Sequence, residues 1–386
     1  MSKLERLIQQ YCPDGVEWKP LGECCNILDG KRKPITKGAR QSGPYPYYGA
    51  NGIQDWVANY IFDGTYVLIG EDGSVITPNG TPVVNWAQGK IWVNNHAHII
   101  AEKTGVLLRF LFYYIQIIDI HNLVHGNIPK LTQGDLKELE IPVPPLPVQE
   151  EIVRILDAFT ELQAELQAEL QAELQKRQQQ YNFYRDNLLN FNRGGQEIKW
   201  MKLKEIGKVC MCKRILKEQT VSSGDVPFYK IGTFGGVADA YISQELFDSY
   251  KSKFSYPQKG DILISAAGTI GRTVEFDGKP AYFQDSNIVW LKHDESIVLN
   301  SYLKYCYTLN PWAISTGGTI ARLYNDNILN ATIPVPPIAE QQKIVAILDR
   351  FDTLTNDLTS GLPAEMEKRR QQYEYYRDRL LTFKRL

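Results

Sequence analysis

Four of the five histidines fall within thirty residues, and histidine is a common metal ligand and proton carrier. The spacings are His-x-His at His96 and His98, and His-x-x-x-His at His121 and His125, which could assemble a metal site. The chain is duplicated, however, and the corresponding stretch of its second half, residues 284–287, holds no ligands of that type. We therefore predict that the chain has no metal site.

A second group of side chains suits a polyanion, because lysine and arginine contact phosphates and so position a protein on nucleic acid. Five cations fall between residues 31 and 40, and the second half has basic residues in the corresponding stretch. The net charge is only −1, so any nucleic-acid surface must be local or shared with another subunit. The candidate cations are Lys31, Arg32, Lys33, Lys37, Arg40, Lys130, Lys213, Arg214, Lys217, Lys230, Arg272 and Arg322.

Polar residues near these cations could read base edges, since amides, hydroxyls and carboxylates match their donors and acceptors. Tyrosines near them could line the same surface. Solvated loops with ordinary core aromatics are the alternative interpretation. The candidate base-reading residues are Asn51, Asn94, Asn95, Gln284, Asp285, Ser286 and Asn287. His96 is a further candidate for DNA binding, and Tyr47, Tyr48 and Tyr229 are the candidate aromatics.

Enzyme motifs are missing from the sequence. It has no Gly-x-x-x-x-Gly-Lys-Ser/Thr phosphate loop, and no serine or cysteine has a suggestive histidine neighbour. The Pro-Pro dipeptides lie in Val-Pro-Pro, outside the Asn/Asp-Pro-Pro-aromatic setting of amino-methyltransferases. Pro13-Asp14 with Glu17 and Lys19 resembles a nuclease motif, but its acidic residues are too close together for two strands. We predict no catalytic residue.

The composition is that of a soluble protein with more than one core. With 386 residues, 43% of them hydrophobic, the chain is long enough for two ordinary domains. No apolar run approaches the roughly 20 residues of a membrane span. The six cysteines follow no zinc or disulfide spacing, which favours reduced thiols and a cytoplasmic location.

Two stretches, 192 positions apart, have nearly the same sequence. Ile141-Pro-Val-Pro-Pro145 returns as Ile333-Pro-Val-Pro-Pro337, and each is followed by Gln-x-x-Ile-Val-x-Ile-Leu-Asp-x-Phe. Each ends in Tyr-x-x-Tyr-Arg-Asp-x-Leu-Leu, from Tyr181 and Tyr373. The segment before Leu131 likewise resembles the one before Leu323, which pairs Lys130 with Arg322. Between these anchors the halves diverge, as expected for two modules with one framework and different binding surfaces.

Apolar spacings of 4-3-4-3-4 from Val148, after the first proline segment, predict a coiled-coil helix, and the matching sequence after the second proline segment predicts another. From Glu161 the sequence becomes Glu-Leu-Gln-Ala repeats with leucines at 162, 166, 170 and 174, and we expect the helix to continue to about Asn190. The whole first helix would then have ~43 residues and a length of ~65 Å. The second should kink near Gly361 and Pro363. We expect antiparallel pairing, with one helix start against the other helix end. The candidate pairing residues are Ile152, Ile155, Phe159, Leu162, Leu166, Ile344, Ile347, Phe351, Tyr373, Tyr376 and Leu380.

The predicted fold class is α+β, with two similar strand-rich modules separated by two long helices that form an antiparallel coiled coil. This gives a pseudo-two-fold internal repeat. The predicted divisions are an N-terminal module at 1–146, a helix at 147–192, a C-terminal module at 193–338 and a kinked helix at 339–386.

The twin proline segments, the helix starts, the Glu-Leu-Gln-Ala repeats and the helix ends together resemble the specificity subunit of a type I restriction–modification system. The resemblance spans the whole chain and is weakest in the variable parts. It implies that each half is a target recognition domain reading one part of a bipartite, asymmetric double-stranded DNA sequence. It also implies that the long helices set the spacer between the two parts.

The resemblance further implies two methyltransferase subunits, which carry S-adenosylmethionine, and restriction subunits that use ATP and magnesium. This chain itself would carry no cofactor, catalyse nothing and bind no membrane. Three alternatives stay open: an assembly protein built on the coiled coil, a stand-alone DNA-binding regulator, and a single-chain methyltransferase or nuclease.

Overall fold

A computed structural model describes residues 1–124, 128–191, 198–313, 322–356 and 360–386 of the chain. His125, the glycines at 194 and 195 and most of the segment before Leu323 lie outside these ranges. Within the described residues, none of the helices is both long and apolar enough to cross a membrane.

Among the described residues, short helices are interspersed with runs of strands. The helices are α1 (Lys3–Tyr11), α2 (Leu21–Cys24), α3 (Leu108–Ile115), α4 (Gln133–Glu138), α5 (Leu146–Leu189), α6 (Leu203–Ile206), α7 (Gln244–Lys253), α8 (Asn300–Thr308), α9 (Asn325–Leu329), α10 (Ile338–Asn356) and α11 (Leu362–Leu380). The strands are β1 (Glu17–Pro20), β2 (Asn26–Ile27), β3 (Ser42–Gly49), β4 (Gly52–Val57), β5 (Phe62–Gly70), β6 (Val84–Val93), β7 (Ala97–Ala101), β8 (Glu140–Val143), β9 (Lys199–Lys202), β10 (Gly207–Cys210), β11 (Val226–Tyr229), β12 (Tyr241–Ile242), β13 (Ile262–Ser265), β14 (Thr273–Glu275), β15 (Tyr282–Phe283), β16 (Ile288–His293) and β17 (Thr332–Val335).

The chain forms two compact units, one made of residues 1–169 with 366–386 and the other of residues 170–365. In the first unit a six-stranded sheet has the order β2-β7-β5-β6-β3-β4. Helix α3, the start of α5 and the last residues of the chain pack with that unit's main hydrophobic core. The second unit has a four-stranded sheet, β10-β16-β13-β14, and a smaller sheet, β12-β11-β15.

Each proline segment forms an edge strand. Strand β8 pairs antiparallel with β1, and β17 pairs in the same way with β9, so Pro142 faces Trp18 and Pro334 faces Trp200. A two-stranded ribbon has only edges, where the missing N–H of proline can point away from the ladder. The sequence excluded helix here but did not predict these strands.

Helix α5 is continuous over 44 residues, close to the predicted length. The second helical region is divided, because α10 ends at Asn356 and α11 begins at Leu362. Pro363 lies in the first turn of α11, where its missing N–H has no helical partner to lose. Helix α11 ends at Leu380, and the tail beyond it is extended instead of continuing the predicted helix to residue 386. In that tail, Arg385 forms an ion pair with Glu140.

Candidate nucleic-acid interface

Apart from Asn51, the predicted base-reading residues of the first unit lie in the turn between β6 and β7. Asn94 is buried, with 2% of its surface exposed, and its Oδ1 accepts a 2.8 Å hydrogen bond from the His96 N–H. Its Nδ2 donates to Gln54, so Asn94 shapes the turn. Asn95 and His96 are exposed at the tip, where they could meet a ligand.

The second unit has an equivalent turn before β16. Leu68 pairs with Ile99 of β7, and Leu263 pairs with Trp290 of β16. These registers align Asn95 with Ser286 at the tips of the two turns. Ser286 has a φ of 59°, a left-handed conformation that is uncommon for a residue other than glycine. Apart from Asn51, the predicted base-reading residues of both units therefore lie in equivalent turns.

Arginines hold the turn of the second unit in place. Arg322 Nη2 donates to the Ser286 carbonyl at 2.9 Å and to Asn287 Oδ1 at 3.2 Å. Arg214 Nε donates to Asp285 Oδ2 at 2.9 Å, and the Arg214 side chain stays 66% exposed. The predicted cations and polar residues thus converge around this turn.

The corresponding cations of the first unit are neutralised by carboxylates. Arg32 Nη1 lies 2.5 Å from Glu71 Oε2 and donates to the Ala97 carbonyl at 2.7 Å, and Arg32 also pairs with Asp29. Lys130 Nζ lies 3.6 Å from Glu71 Oε1. Ala266 aligns with Glu71, because Leu131 and Leu323 donate backbone hydrogen bonds to these two residues. Among the described residues, Arg322 therefore has no such acid beside it.

Asp29, Glu71 and His98 bring potential metal-ligand atoms within 4.8 Å of one another. Arg32, however, supplies the cation between the two carboxylates. His98 Nδ1 bonds to Asp29 Oδ2 at 2.6 Å, and its Nε2 bonds to the Leu131 carbonyl at 2.9 Å. Burial would raise the pKa of the Asp29 carboxyl, but hydrogen bonds from His98 and Ile99 outweigh it and the pKa is lowered. The group is therefore an ion-pair network that ties the turn to the sheet.

The other two described histidines of the predicted cluster lie elsewhere. His96 pairs with Asp72, and His121 pairs with Asp119. The described residues do not unite them with His98 in one set of ligands.

Tyr47 and Tyr48 do not line the surface that the sequence suggested. They are 1% and 9% exposed, because β3 lies inside the sheet between β6 and β4. Arg40 packs 4.1 Å from the centre of the Tyr47 ring and forms an ion pair with Asp55. These residues stabilise the basic loop instead of offering their side chains to a ligand.

The predicted lysines are the more accessible cations. No ion pair involves Lys31 or Lys33 among the described residues, in contrast to Arg32 between them. Lys213 Nζ lies 5.2 Å from the centre of the Phe254 ring. The exposed lysines of this set are Lys31, Lys33, Lys37, Lys130, Lys213 and Lys217, of which Lys130 lies beside Glu71.

The remaining predicted residues of the second unit are engaged in local contacts. Gln284 accepts a hydrogen bond from the Ile231 N–H, and Lys230 pairs with Asp239. Arg272 donates to the Gly235 carbonyl, and the Tyr229 ring stacks on Phe283 at 5.9 Å. Tyr229 also lines a cavity of about 440 Å³, so part of it remains accessible.

Asn51 lies exposed on the wall of a cavity of about 770 Å³ in the first unit, apart from the turn at Asn95. Asn79, Asn85 and Gln116 line the same cavity. The Asn85 side-chain N–H group is buried without a partner among the described residues. The cavity therefore combines exposed Asn51 with the partly buried Asn85 on its wall.

The predicted helix pairing is seen inside each unit. The Phe159 and Tyr376 rings meet edge to face, and Thr160 Oγ1 lies 3.0 Å from the Tyr373 hydroxyl. In the second unit Tyr184 stacks on Phe351 at 5.3 Å. In the first unit, Leu162 and Leu166 line a groove with Phe159, Tyr373 and Tyr376, and Leu162 remains 62% exposed.

The start of each long helix belongs to the core of its own unit. Ile152 and Ile344 are buried in the main cores, and Ile155 and Leu380 pack against the first. Ile347 is 40% exposed. Leu156 and Leu348, absent from the predicted seam, are fully buried. The spacing could have identified them, since each lies four residues after the isoleucine of the seam.

The acidic partners were also absent from the predicted site. Arg32 pairs with Asp29 and Glu71, and Arg40 pairs with Asp55, so these acids withdraw the two arginines from the surface. Only Asp29 left a signal, because it lies three residues before Arg32 on a short helical turn.

Comparison with known proteins agrees with this architecture. The family described as the type I restriction modification DNA specificity domain matches the chain twice, over residues 13–176 and 196–368. The chain is 54% identical over 385 residues to a putative type I restriction enzyme specificity subunit of Haemophilus influenzae, with 98% of each chain covered. It is 30% identical over 415 residues to the EcoR124I/EcoR124II specificity subunit of Escherichia coli, covering 99% of this chain and 97% of that one.

A solved structure shares the fold. A chain from a study of complex assembly and conformational transition in the type I R-M system matches with a TM-score of 0.63 and 18% identity. The match covers 96% of this chain and 98% of that chain.

The chain belongs to the type I restriction–modification specificity subunit family. It is a specificity subunit with two DNA specificity domains, and it has the role of DNA recognition, not catalysis. The predicted family, fold class and general function are confirmed.

Proposed function

We propose that each half of the chain reads one part of a bipartite, asymmetric double-stranded DNA target. The observation that carries the proposal is the pair of aligned turns. The two turns lie at equivalent positions of the two units, but their side chains differ. Asn95 and His96 lie at the tip in the first unit, and Ser286 and Asn287 lie there in the second. Different donors and acceptors at one position suit two different half-sites.

The cations around the turns suit the phosphate backbone. Lys31 and Lys33 are exposed beside the first turn's network, and Arg214 is exposed beside the second turn. Phosphate contacts fix the register of a protein on the duplex, and base contacts give the sequence. The exposed lysines would therefore position each half, while the turn tips discriminate between bases.

The partners proposed for this chain are two methyltransferase subunits and restriction subunits in the cytoplasm. S-adenosylmethionine, ATP and magnesium would be bound by those subunits and not by this chain. The relative from Escherichia coli is named as part of a type I restriction enzyme, which supports this assignment. The spacer between half-sites would depend on the number of residues in α5.

Methylation mapping tests the proposal. The full chain is expressed with its cognate methyltransferase, and the modified positions in the host DNA are sequenced. We expect one bipartite motif with a fixed gap. Substitution of the turn tip in one unit should then alter one half-site only. Modification at a continuous motif, or a change in both half-sites from one turn, would overturn the assignment of one half-site to each unit.

A further inference from the structure

A buried glutamine fastens the start of each long helix to its own unit. Gln149 and Gln341 are fully buried and occupy equivalent positions 192 apart. The Oε1 of Gln149 accepts from the Leu107 N–H at 2.9 Å, and its Nε2 donates to the carbonyls of Pro144 at 2.7 Å and Gly105 at 3.1 Å.

Gln341 repeats the same three bonds. Its Oε1 accepts from the Leu299 N–H at 2.9 Å, and its Nε2 donates to the carbonyls of Pro336 at 2.8 Å and Ile297 at 3.0 Å. The partner atoms belong to the backbone, so divergence of the surrounding side chains leaves these bonds in place. One side chain thus links the first turn of a helix to the loop before α3 or α8.

A second connection lies eight residues further along each helix. The Tyr113 hydroxyl donates to Asp157 Oδ1 at 2.6 Å, and the Tyr305 hydroxyl donates to Asp349 Oδ1 at 2.5 Å. Eight residues correspond to about 12 Å along a helix axis. Two connections at different heights resist both rotation and tilt of the helix against its own unit, whereas a single one would act as a pivot.

We propose that Gln149, Gln341 and the pairs Tyr113–Asp157 and Tyr305–Asp349 are positioning residues that make the chain selective for one spacer length. The inference rests on the proposed function, in which the helices set the spacer. A change of one base pair rotates a half-site by roughly 34° about the DNA axis, because B-DNA has 10–10.5 base pairs per turn. A module held rigidly on its helix would reject that rotation, and a module on a loose mount would tolerate it.

The test measures methylation by the complex of the full chain with its methyltransferase. Substrates carry the native spacer or a spacer one base pair longer or shorter. The variants are Gln149→Met and Gln341→Met, which remove all three bonds, and Tyr113→Phe and Tyr305→Phe, which remove only a hydroxyl. We expect each variant to reduce the preference for the native spacer about tenfold while half-site preference is unchanged.

The tyrosine variants keep the test decisive if the methionine variants fail to fold, since they preserve the packed rings. Glu165→Ala, at an exposed position of the same helix, is the matched control and should keep the wild-type preference. Folded variants that methylate all three spacers in the wild-type ratio, even at a lower rate, would show a merely structural role and overturn the inference. If wild type itself lacked a bipartite target, the proposed function would fail instead.

Discussion

The ring of Phe159 lies 6.3 Å from the ring of Tyr376, and their planes meet at 67°. Edge-to-face pairs contribute about 0.5–1.5 kcal/mol beyond their buried area. A double-mutant cycle of Phe159→Ala and Tyr376→Ala, measured by denaturant unfolding, should give a coupling free energy in that range. Tyr375, on the same helix and 60% exposed, is the control partner. Equal coupling of Phe159 to Tyr375 and Tyr376 would contradict a specific ring contact.

Acid should weaken the attachment of α1 to α5. The Glu151 side chain is 2% exposed and pairs with both Arg154 and Lys3. Hydrogen bonds from Arg154 and then Lys3 lower the pKa of Glu151 to about 2 from its usual 4.5. A carboxyl with a lowered folded pKa contributes stability above its unfolded pKa and loses that contribution as the pH falls through the folded value.

We therefore expect Glu151→Gln to lower the free energy of unfolding at neutral pH. The difference from wild type should shrink as the pH falls from 4.5 toward about 2. Denaturant unfolding over that range measures it, with Glu150→Gln as an exposed neighbouring control. A difference that does not change with pH would count against the ion pairs as its cause.

Adjacent cations of the basic loop should behave differently. Lys31 and Lys33 are exposed, and their replacement by alanine should reduce the slope of log affinity against log salt by roughly 0.9 for each phosphate that is no longer neutralised. Arg32 is held by Asp29 and Glu71, so Arg32→Ala should instead lower the free energy of unfolding, by about 1–3 kcal/mol. DNA titrations at several salt concentrations and denaturant unfolding separate the two effects. A stability loss in the lysine variants, or a change of salt slope in Arg32→Ala without a loss of stability, would contradict this distinction.

Removing one repeat should shorten the spacer. Deletion of residues 165–168, one Glu-Leu-Gln-Ala unit, takes about 6 Å from α5, on the order of two base pairs. Methylation mapping should find the same half-sites with a gap shorter by about two base pairs. Gln167→Ala keeps the residue count and should keep the gap. An unchanged gap after the deletion would separate helix length from spacer length.

The long helices could be predicted because their information is local and periodic. The seam through Ile152, Ile155 and Phe159 needs only the residues themselves, and α5 spans 44 residues, close to the length expected from the pattern. The end of α11 at Leu380 was harder to predict from the sequence, because the tail beyond it is held by a distant residue, Glu140. Its structure follows from tertiary contact and not from its own composition.

The candidate site was predictable as a region but not in detail. Lys31 and Arg32 are neighbours with nearly the same charge, yet only Arg32 meets Glu71, 39 positions away. Tyr47 was predicted to lie on the surface, because the local sequence does not reveal that β3 is flanked by a strand on each side. Burial and ion pairing depend on which segments meet, and those meetings are specified by the whole fold.

The glutamine and aspartate at the start of each long helix also bear on how such a protein can change over generations. Because Gln149 and Gln341 bond to backbone atoms, a module with an entirely different binding surface could be inserted in either half and still be mounted correctly. The nearly identical sequences that flank each module mark the places where such an exchange would preserve these hydrogen bonds. New DNA targets could thus arise by the exchange of a whole module.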